Sequence, residues 1–346
     1  MIEYRAASIG PAALQALSED CEALVMGTTS HGVFIRANSR VIFISFEAYR
    51  GPLTITLNGP TDRLRSVTTG STAIISSGRL ILPSADTLIS VERGELWRPA
   101  NAGHPARPPA ERLDSLRAIA KEVLARRGDV GFGALLLPVL GLPDAGRAVS
   151  LMIGTSRKAT STLSGGSQAF REPQSKGAIL QEIRPQVASF DCMARNMPLR
   201  SGCFRDVRML STILELREAL RTDLSCAAEI ACGLLGIGQG LTPSGDDVVV
   251  GLLLMLNRWQ AALWPDGDLD SLNRRVVESA YTRTTLLSAN LIECAALGQA
   301  DERLINVVDC IVTGHPSESE CVPHVLGWGA SSGIDALVGM ALAVTC

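Results

Sequence analysis

Through the first hundred residues, apolar and polar positions alternate in short runs. "EALVMG", "HGVFIRA", "RVIFISF", "LTITL", "GRLILP" and "TLISV" are β-branched or aromatic segments set between Gly, Pro, Asn and Asp. That is the pattern of strands separated by turns, with Asn58-Gly59-Pro60 the clearest turn. No helical period intervenes, which predicts an antiparallel β-barrel or sandwich. The proline-rich "RPANAGHPARPPAE" (98–111) then reads as a linker.

Beyond the linker the period becomes helical. "ERLDSLRAIAKEVLARRG" has apolar residues at helical spacing, basic residues in its last turn and Gly128 as a stop. Further helical patterns fall at about 206–220, 223–235, 244–259, 268–298, 301–312 and 333–345. "GTSRKATSTLSGGSQ" (154–168) reads as a loop, whose Arg157 and Lys158 are solvated charges in preference to an anion clamp. The chain is therefore α+β: a β-rich domain over 1–104, then a larger, mostly α-helical domain over 105–346.

Composition narrows the class. With 46% hydrophobic and 19% charged residues, the chain has enough apolar surface to fold as a globule. A net charge of −3 argues against nucleic acid or an anionic membrane as the main partner. The nine cysteines are odd in number and lack C-x-x-C spacing, as expected of reduced thiols. "MIEYRAASIGPAAL" is no secretory signal, and the longest apolar runs, near 134–142 and 248–256, are too short to span a bilayer. A cytoplasmic location follows as the expectation.

Self-comparison is the most informative step. "SGDDVVVGLLLML" (244–256) aligns without gaps on "SGIDALVGMALAV" (332–344). Ser244/Ser332, Gly245/Gly333, Asp247/Asp335, Val250/Val338, Gly251/Gly339 and Leu254/Leu342 are identical pairs. Upstream, "LGIG" (235–238) mirrors "LGWG" (326–329), with three extra residues before the first serine. Each copy predicts a helix start, with Ser at the N-cap and Asp three residues later in a capping-box arrangement. Pro243 keeps Thr242 out of the α region, so the first helix cannot extend back through it. Gly251 and Gly339 inside the helices cost about 1 kcal/mol each relative to Ala, which close packing would explain.

Capping accounts for one hydroxyl and one acid. The first copy adds Gly236, Gly238, Gly240, a spare Thr242 hydroxyl and a second acid, Asp246. Glycines ahead of a helix let backbone N–H groups approach an anion. The loop is not a Walker loop, since Asp246-Asp247 stand where Lys and a hydroxyl belong. Nor is it a Rossmann fingerprint, because "SCAAEIACGLL" ahead of it reads as helix. Glycine N–H donors beside carboxylate acceptors suit a small ligand that joins a carboxylate to an amide or ureido group. Gly238 and Gly240 would face the anion, and Thr242, Ser244, Gly245 and Ser332 would line the site. Asp246 or Asp247 would act as ureido anchor or base, completed by Asp335. A divalent ion such as Mg2+ on Asp246, Asp247 or Asp335 is the rival use, and no other cofactor is implied.

Weaker candidates stand elsewhere. His31, at a strand start beside three hydroxyl residues, is a core-edge histidine or an acid/base reaching a neighbouring cleft. His104, His315 and His324 lack zinc-ligand spacing. "TRTTLLSANLIECAALGQ" (282–299) sets Thr284, Ser288 and Asn290 on an otherwise apolar helix. Buried hydroxyls usually satisfy backbone carbonyls, but Ser288 and Asn290 become substrate groups if that face meets the glycine loop.

"GIGQGLTPSGDD", "TRTTLLSANLIECAALGQ" and "GWGASSGIDALVGM" together resemble the bacterial domain family that includes the AllH subunit of oxamate carbamoyltransferase. "TTSHGVFIRANSRVIFIS" and "GPLTITL" are similar to its β-rich N-terminus, more weakly. Gln239 replaces an expected proline and Val248 a common aromatic; neither change removes a polar group. The resemblance implies transfer of a carbamoyl group between oxalurate and phosphate, giving oxamate and carbamoyl phosphate, in anaerobic allantoin and purine breakdown. It also implies two partner subunits, one resembling an acyl-CoA synthetase component. Two rivals stay open: a non-catalytic scaffold that docks a catalytic partner, and a metal-dependent enzyme acting on another small amide.

Overall fold

The computed structural model describes residues 1–59, 61–100, 103–127, 131–141, 201–265 and 267–346, with backbone alone for 201–208. The 154–168 stretch with Arg157 and Lys158, and also Pro60, Gly128 and Cys192, lie outside the described residues.

The N-terminal strands are β1 (Ile2–Ile9), β2 (Cys21–Thr28), β3 (Gly32–Ala37), β4 (Arg40–Ser45) and β5 (Thr54–Leu57). They continue with β6 (Thr72–Ser76), β7 (Arg79–Leu82), β8 (Thr87–Ser90) and β9 (Glu95–Leu96). Their order is β5-β4-β3-β2-β6-β7-β8-β1-β9, and β5 also pairs with β1, so the first eight close into a barrel. The expected barrel is therefore present. Most ladders are antiparallel, but β4–β5 and β8–β1 run parallel, so the barrel is mixed. Parallel pairing demands a crossover, and β1, at the chain's start, is the strand that seals the seam. One face of each strand fills the interior: Val33 and Ile35 of β3, Ile42 and Ile44 of β4, and Leu80 and Leu82 of β7 are fully buried. A short helix, α1 (Pro11–Ala16), follows β1, and Ala13 with the adjacent Leu17 packs into that interior. Ser77 and Gly78 both take positive φ and join β6 to β7 in two residues, as a primed hairpin turn requires.

The helical part comprises α2 (Pro109–Arg127), α3 (Leu136–Leu140), α4 (Ser201–Thr222), α5 (Leu224–Leu234), α6 (Ser244–Arg258) and α7 (Gln260–Leu263). After these come α8 (Leu269–Arg283), α9 (Leu286–Ala295), α10 (Glu302–Thr313), α11 (Glu318–Gly327) and α12 (Ser332–Thr345). α6 and α12 are buried on nearly every side, the mark of central helices. They pack closely against each other, and the other helices surround them. The helix expected over 268–298 is two, broken where Thr284 takes an extended conformation and Thr285 caps α9 through its hydroxyl. α11 lies where no helix was expected; a capping box of Ser317 and Glu320 starts it, and Pro323 sits inside it. Among the described residues, no helix is long and apolar enough to cross a membrane.

The turn between β3 and β4 docks the barrel on α9. Asn290 Oδ1 accepts from Val41 N (2.7 Å), and its Nδ2 donates to Ser39 O (3.2 Å) and Tyr281 OH (3.0 Å). Arg40 grips Glu293 through both terminal guanidinium nitrogens.

Candidate functional site

The two repeated segments form matching units, α5–loop–α6 and α11–loop–α12. Their contacts are reciprocal, position by position. A Cβ on Gly251 would fall on the carbonyl oxygen of Ala336, and one on Gly339 on that of Val248. A Cβ on Gly245 would fall on Leu234 O and one on Gly333 on Val325 O. Gly245 N donates to Ile237 O (2.8 Å) and Gly333 N to Trp328 O (2.9 Å). These glycines are where backbone meets backbone, which accounts for their place inside or at the start of apolar helices.

The helix starts differ from the capping-box expectation. Ser244 and Ser332 are the first helical residues; Pro243 and Ser331 hold the cap positions, without a side-chain cap. A capping box needs an N–H at the cap, and Pro243 has none. The acids are thus released from capping. Asp246 reaches back to Gly236, whose N–H donates to Oδ1 (2.7 Å), while the Thr284 hydroxyl donates to Oδ2. Asp246 therefore ties the glycine loop to the α8–α9 junction. The Thr285 hydroxyl donates to Leu241 O (2.7 Å) and adds a second tie.

Asp246, Asp247 and Asp335 are 0%, 1% and 0% exposed. Both oxygens of Asp247, Oδ2 of Asp335 and Oγ of Ser288 have no hydrogen-bond partner, and no other buried side-chain polar atom among the described residues lacks one. Phe132 N donates to Asp335 Oδ1 (2.5 Å). Burial pushes the Asp335 carboxyl up to about 6, against the pull of Phe132 N–H and the Ser244 and Ser331 hydroxyls. Burial also holds the Asp247 carboxyl well above the usual carboxylate range; the Ser332 and Thr242 hydroxyls beside it oppose this, and Asp335 and Asp246 add to it. Those hydroxyls lie 3.2 Å from each other, but neither completes a hydrogen bond to Asp247. Asp246 is raised by burial and drawn back by the Thr284 and Gly236 donors, with the Ser288 hydroxyl nearby adding to the pull without completing a hydrogen bond.

Of the residues anticipated for the site, the structure brings together Asp246, Asp247, Asp335, Thr242, Ser244, Ser288 and Ser332. Gly245 serves helix packing, and a Cβ on Gly238, at φ +128°, would fall against Ser244 N, the first N–H of α6. Gly240, at φ +99°, stands free and exposed at the loop tip. The N–H groups of Gly238 through Thr242 donate to no other described group. Asn290 lies at the barrel junction and is no part of the cluster, because its amide is taken up by Val41, Ser39 and Tyr281. His31 is exposed on the barrel, 2.7 Å from Glu47, at the edge of a 480 Å³ cleft lined by Phe46, Glu47, Arg50, Glu95 and Glu302. That cleft is separate from the carboxylates. Among the described residues no three His, Cys, Asp or Glu are grouped so as to hold a metal ion.

Two contributors, Thr285 and Phe132, escaped the sequence, which placed Thr284 on a continuous helix. Thr284 and Thr285 act instead as a helix break, which the adjacent hydroxyl pair after Arg283 could have signalled. The Phe132 contribution is a backbone N–H, and no side-chain pattern announces it.

Residues 234–344 match the family model described as oxamate carbamoyltransferase subunit AllH. The resemblance carried by "GIGQGLTPSGDD" and "GWGASSGIDALVGM" is thus borne out over a segment that holds both loops and all three carboxylates. No solved structure matches the chain.

Proposed function

We propose that the chain is a cytoplasmic subunit of an oxamate carbamoyltransferase-type complex and that the two loops form its substrate site. The reaction moves a carbamoyl group between oxalurate and phosphate, with oxamate and carbamoyl phosphate on the other side. The observation that carries this reading is the set of unpartnered buried atoms on Asp247, Asp335 and Ser288, all within the matched segment. A buried polar group without a partner costs about 1–3 kcal/mol, so such a set is retained only where something uses it.

Oxalurate carries a carboxylate at one end and ureido N–H groups at the other. The buried Asp247 and Asp335 carboxyls offer its carboxylate neither a cation nor an N–H donor, so the ureido end enters and the carboxylate faces the N–H groups of the glycine loop. Thr242 and Ser332 flank the entering group. Breaking the C–N bond sends a proton to the departing amide nitrogen, and hydrogen phosphate surrenders one as it attacks. A carboxyl held protonated by burial, as Asp247 is, can donate the first and then accept the second.

The test is carbamoyl phosphate formation from oxalurate and phosphate by the complex reconstituted with its partner subunits. Asp247→Asn is expected to lower the rate by about 100-fold or more, with a melting temperature no lower than the parent's. Full activity of the variant complex would make the chain a scaffold instead.

A further inference from the structure

The reciprocity of the two units singles out one position. Asp247 and Asp335 are equivalent residues of the repeat, and each faces the first helical serine of the opposite unit, Ser332 and Ser244 respectively. They differ in one respect. Asp335 receives a backbone amide N–H, from Phe132, whereas both oxygens of Asp247 lack a partner. The leading influences on the two carboxyls are burial, hydroxyl and amide donors and, for Asp247, the acids Asp335 and Asp246; no cation stands among them. A carboxyl buried without a cation or a donor keeps its proton. It then presents one acceptor and one donor side by side.

From this geometry, and resting on the two-loop site proposed above, we infer that Asp247 binds the H–N–C=O edge of a primary carboxamide or ureido group. One oxygen accepts the N–H, and the other donates its proton to the carbonyl. The amide N–H that the fold places on Asp335 is thus supplied to Asp247 by the ligand. The ligand class is a neutral carboxamide or ureide end, as opposed to an ammonium or a second carboxylate. An ammonium offers no acceptor for the proton, and a carboxylate offers no N–H. The groups that face Asp247 fit this role: Asp335 and Asp246 favour its protonated form, and the Ser332 and Thr242 hydroxyls stand at its side.

Asparagine has the same pair of groups at the same positions, and alanine has neither. Calorimetric titration of the full chain with oxamate, and with N,N-dimethyloxamate, which lacks the N–H, separates the cases. Asp247→Asn should bind oxamate within a few-fold of the parent, and Asp247→Ala should bind it about tenfold more weakly or worse. The dimethyl compound should be weaker than oxamate by a similar factor on the parent chain. Parent affinity should fall as rising pH ionises Asp247, and that of Asp247→Asn should not. The inference is overturned if Asp247→Asn loses as much affinity as Asp247→Ala, if the dimethyl compound binds as well as oxamate, or if the parent binds no oxamate. The functional reading is judged separately, by carbamoyl transfer in the reconstituted complex: Asp247→Asn is expected to bind there without transferring.

Discussion

Replacing Asp335 with asparagine should stabilise the ligand-free chain at neutral pH and leave it unchanged in acid. The native carboxyl is fully buried, and its pKa is raised by burial from 3.8 to about 6. The folded state therefore binds the proton more tightly than the unfolded chain. The stability linked to this proton is fully present below the unfolded value and is lost as pH rises through about 6. At about 1.4 kcal/mol per unit, the shift corresponds to about 3 kcal/mol. Asparagine carries no charge at any pH, and its Oδ1 can still accept from Phe132 N. The difference between variant and parent should thus be near zero around the unfolded value of 3.8, grow across the window, and level off near 3 kcal/mol above it. Urea unfolding followed by circular dichroism at a series of pH values measures it. A difference that does not change with pH, or a variant less stable than the parent in mild alkali, would refute the assignment of a buried, proton-holding carboxyl.

The other expectations concern what holds the site in place. Gly251→Ala or Gly339→Ala forces a methyl onto a carbonyl oxygen of the facing helix. Each should cost about 1–3 kcal/mol despite alanine's better helix propensity, read as a lowered melting temperature, and a neutral outcome would contradict the backbone contact. Asn290→Ala strands Val41 N and Ser39 O at the barrel junction. A loss of about 2–3 kcal/mol is expected, with oxamate affinity kept in whatever fraction remains folded; loss of affinity in well-folded protein would return Asn290 to the site.

How much of this was legible depended on which interactions carry each element. Strands such as β3 and β4 announce themselves, because one face is filled by Val33, Ile35, Ile42 and Ile44 and the alternation survives in sequence. β1, "IEYRAASI", was missed because Arg5, Ala6, Ala7 and Ser8 give no such alternation; its identity comes from partners distant in sequence, β5 and β8. The parallel pairings were invisible for the same reason. α11 was hidden by Pro323, whose presence inside a helix is an exception that packing enforces.

The site divides along the same line. The repeat gave its location, because duplicated residues are a property of the sequence. It did not give roles, because the two copies look alike until their neighbours are known. The capping reading treated Asp247 and Asp335 as equivalent helix-start acids. Pro243, lacking an N–H, removes that use for the first, and Phe132, far away in the chain, satisfies one oxygen of the second. Asp246, the acid with no counterpart in the second copy, proves to be the tie that holds the longer loop through Gly236 and Thr284. The three extra residues, together with their own anchor, therefore leave one carboxyl without a partner from the fold. A duplication that satisfies one member of a pair and not the other has separated a structural acid from a binding acid, and that difference assigns Asp247 to the ligand.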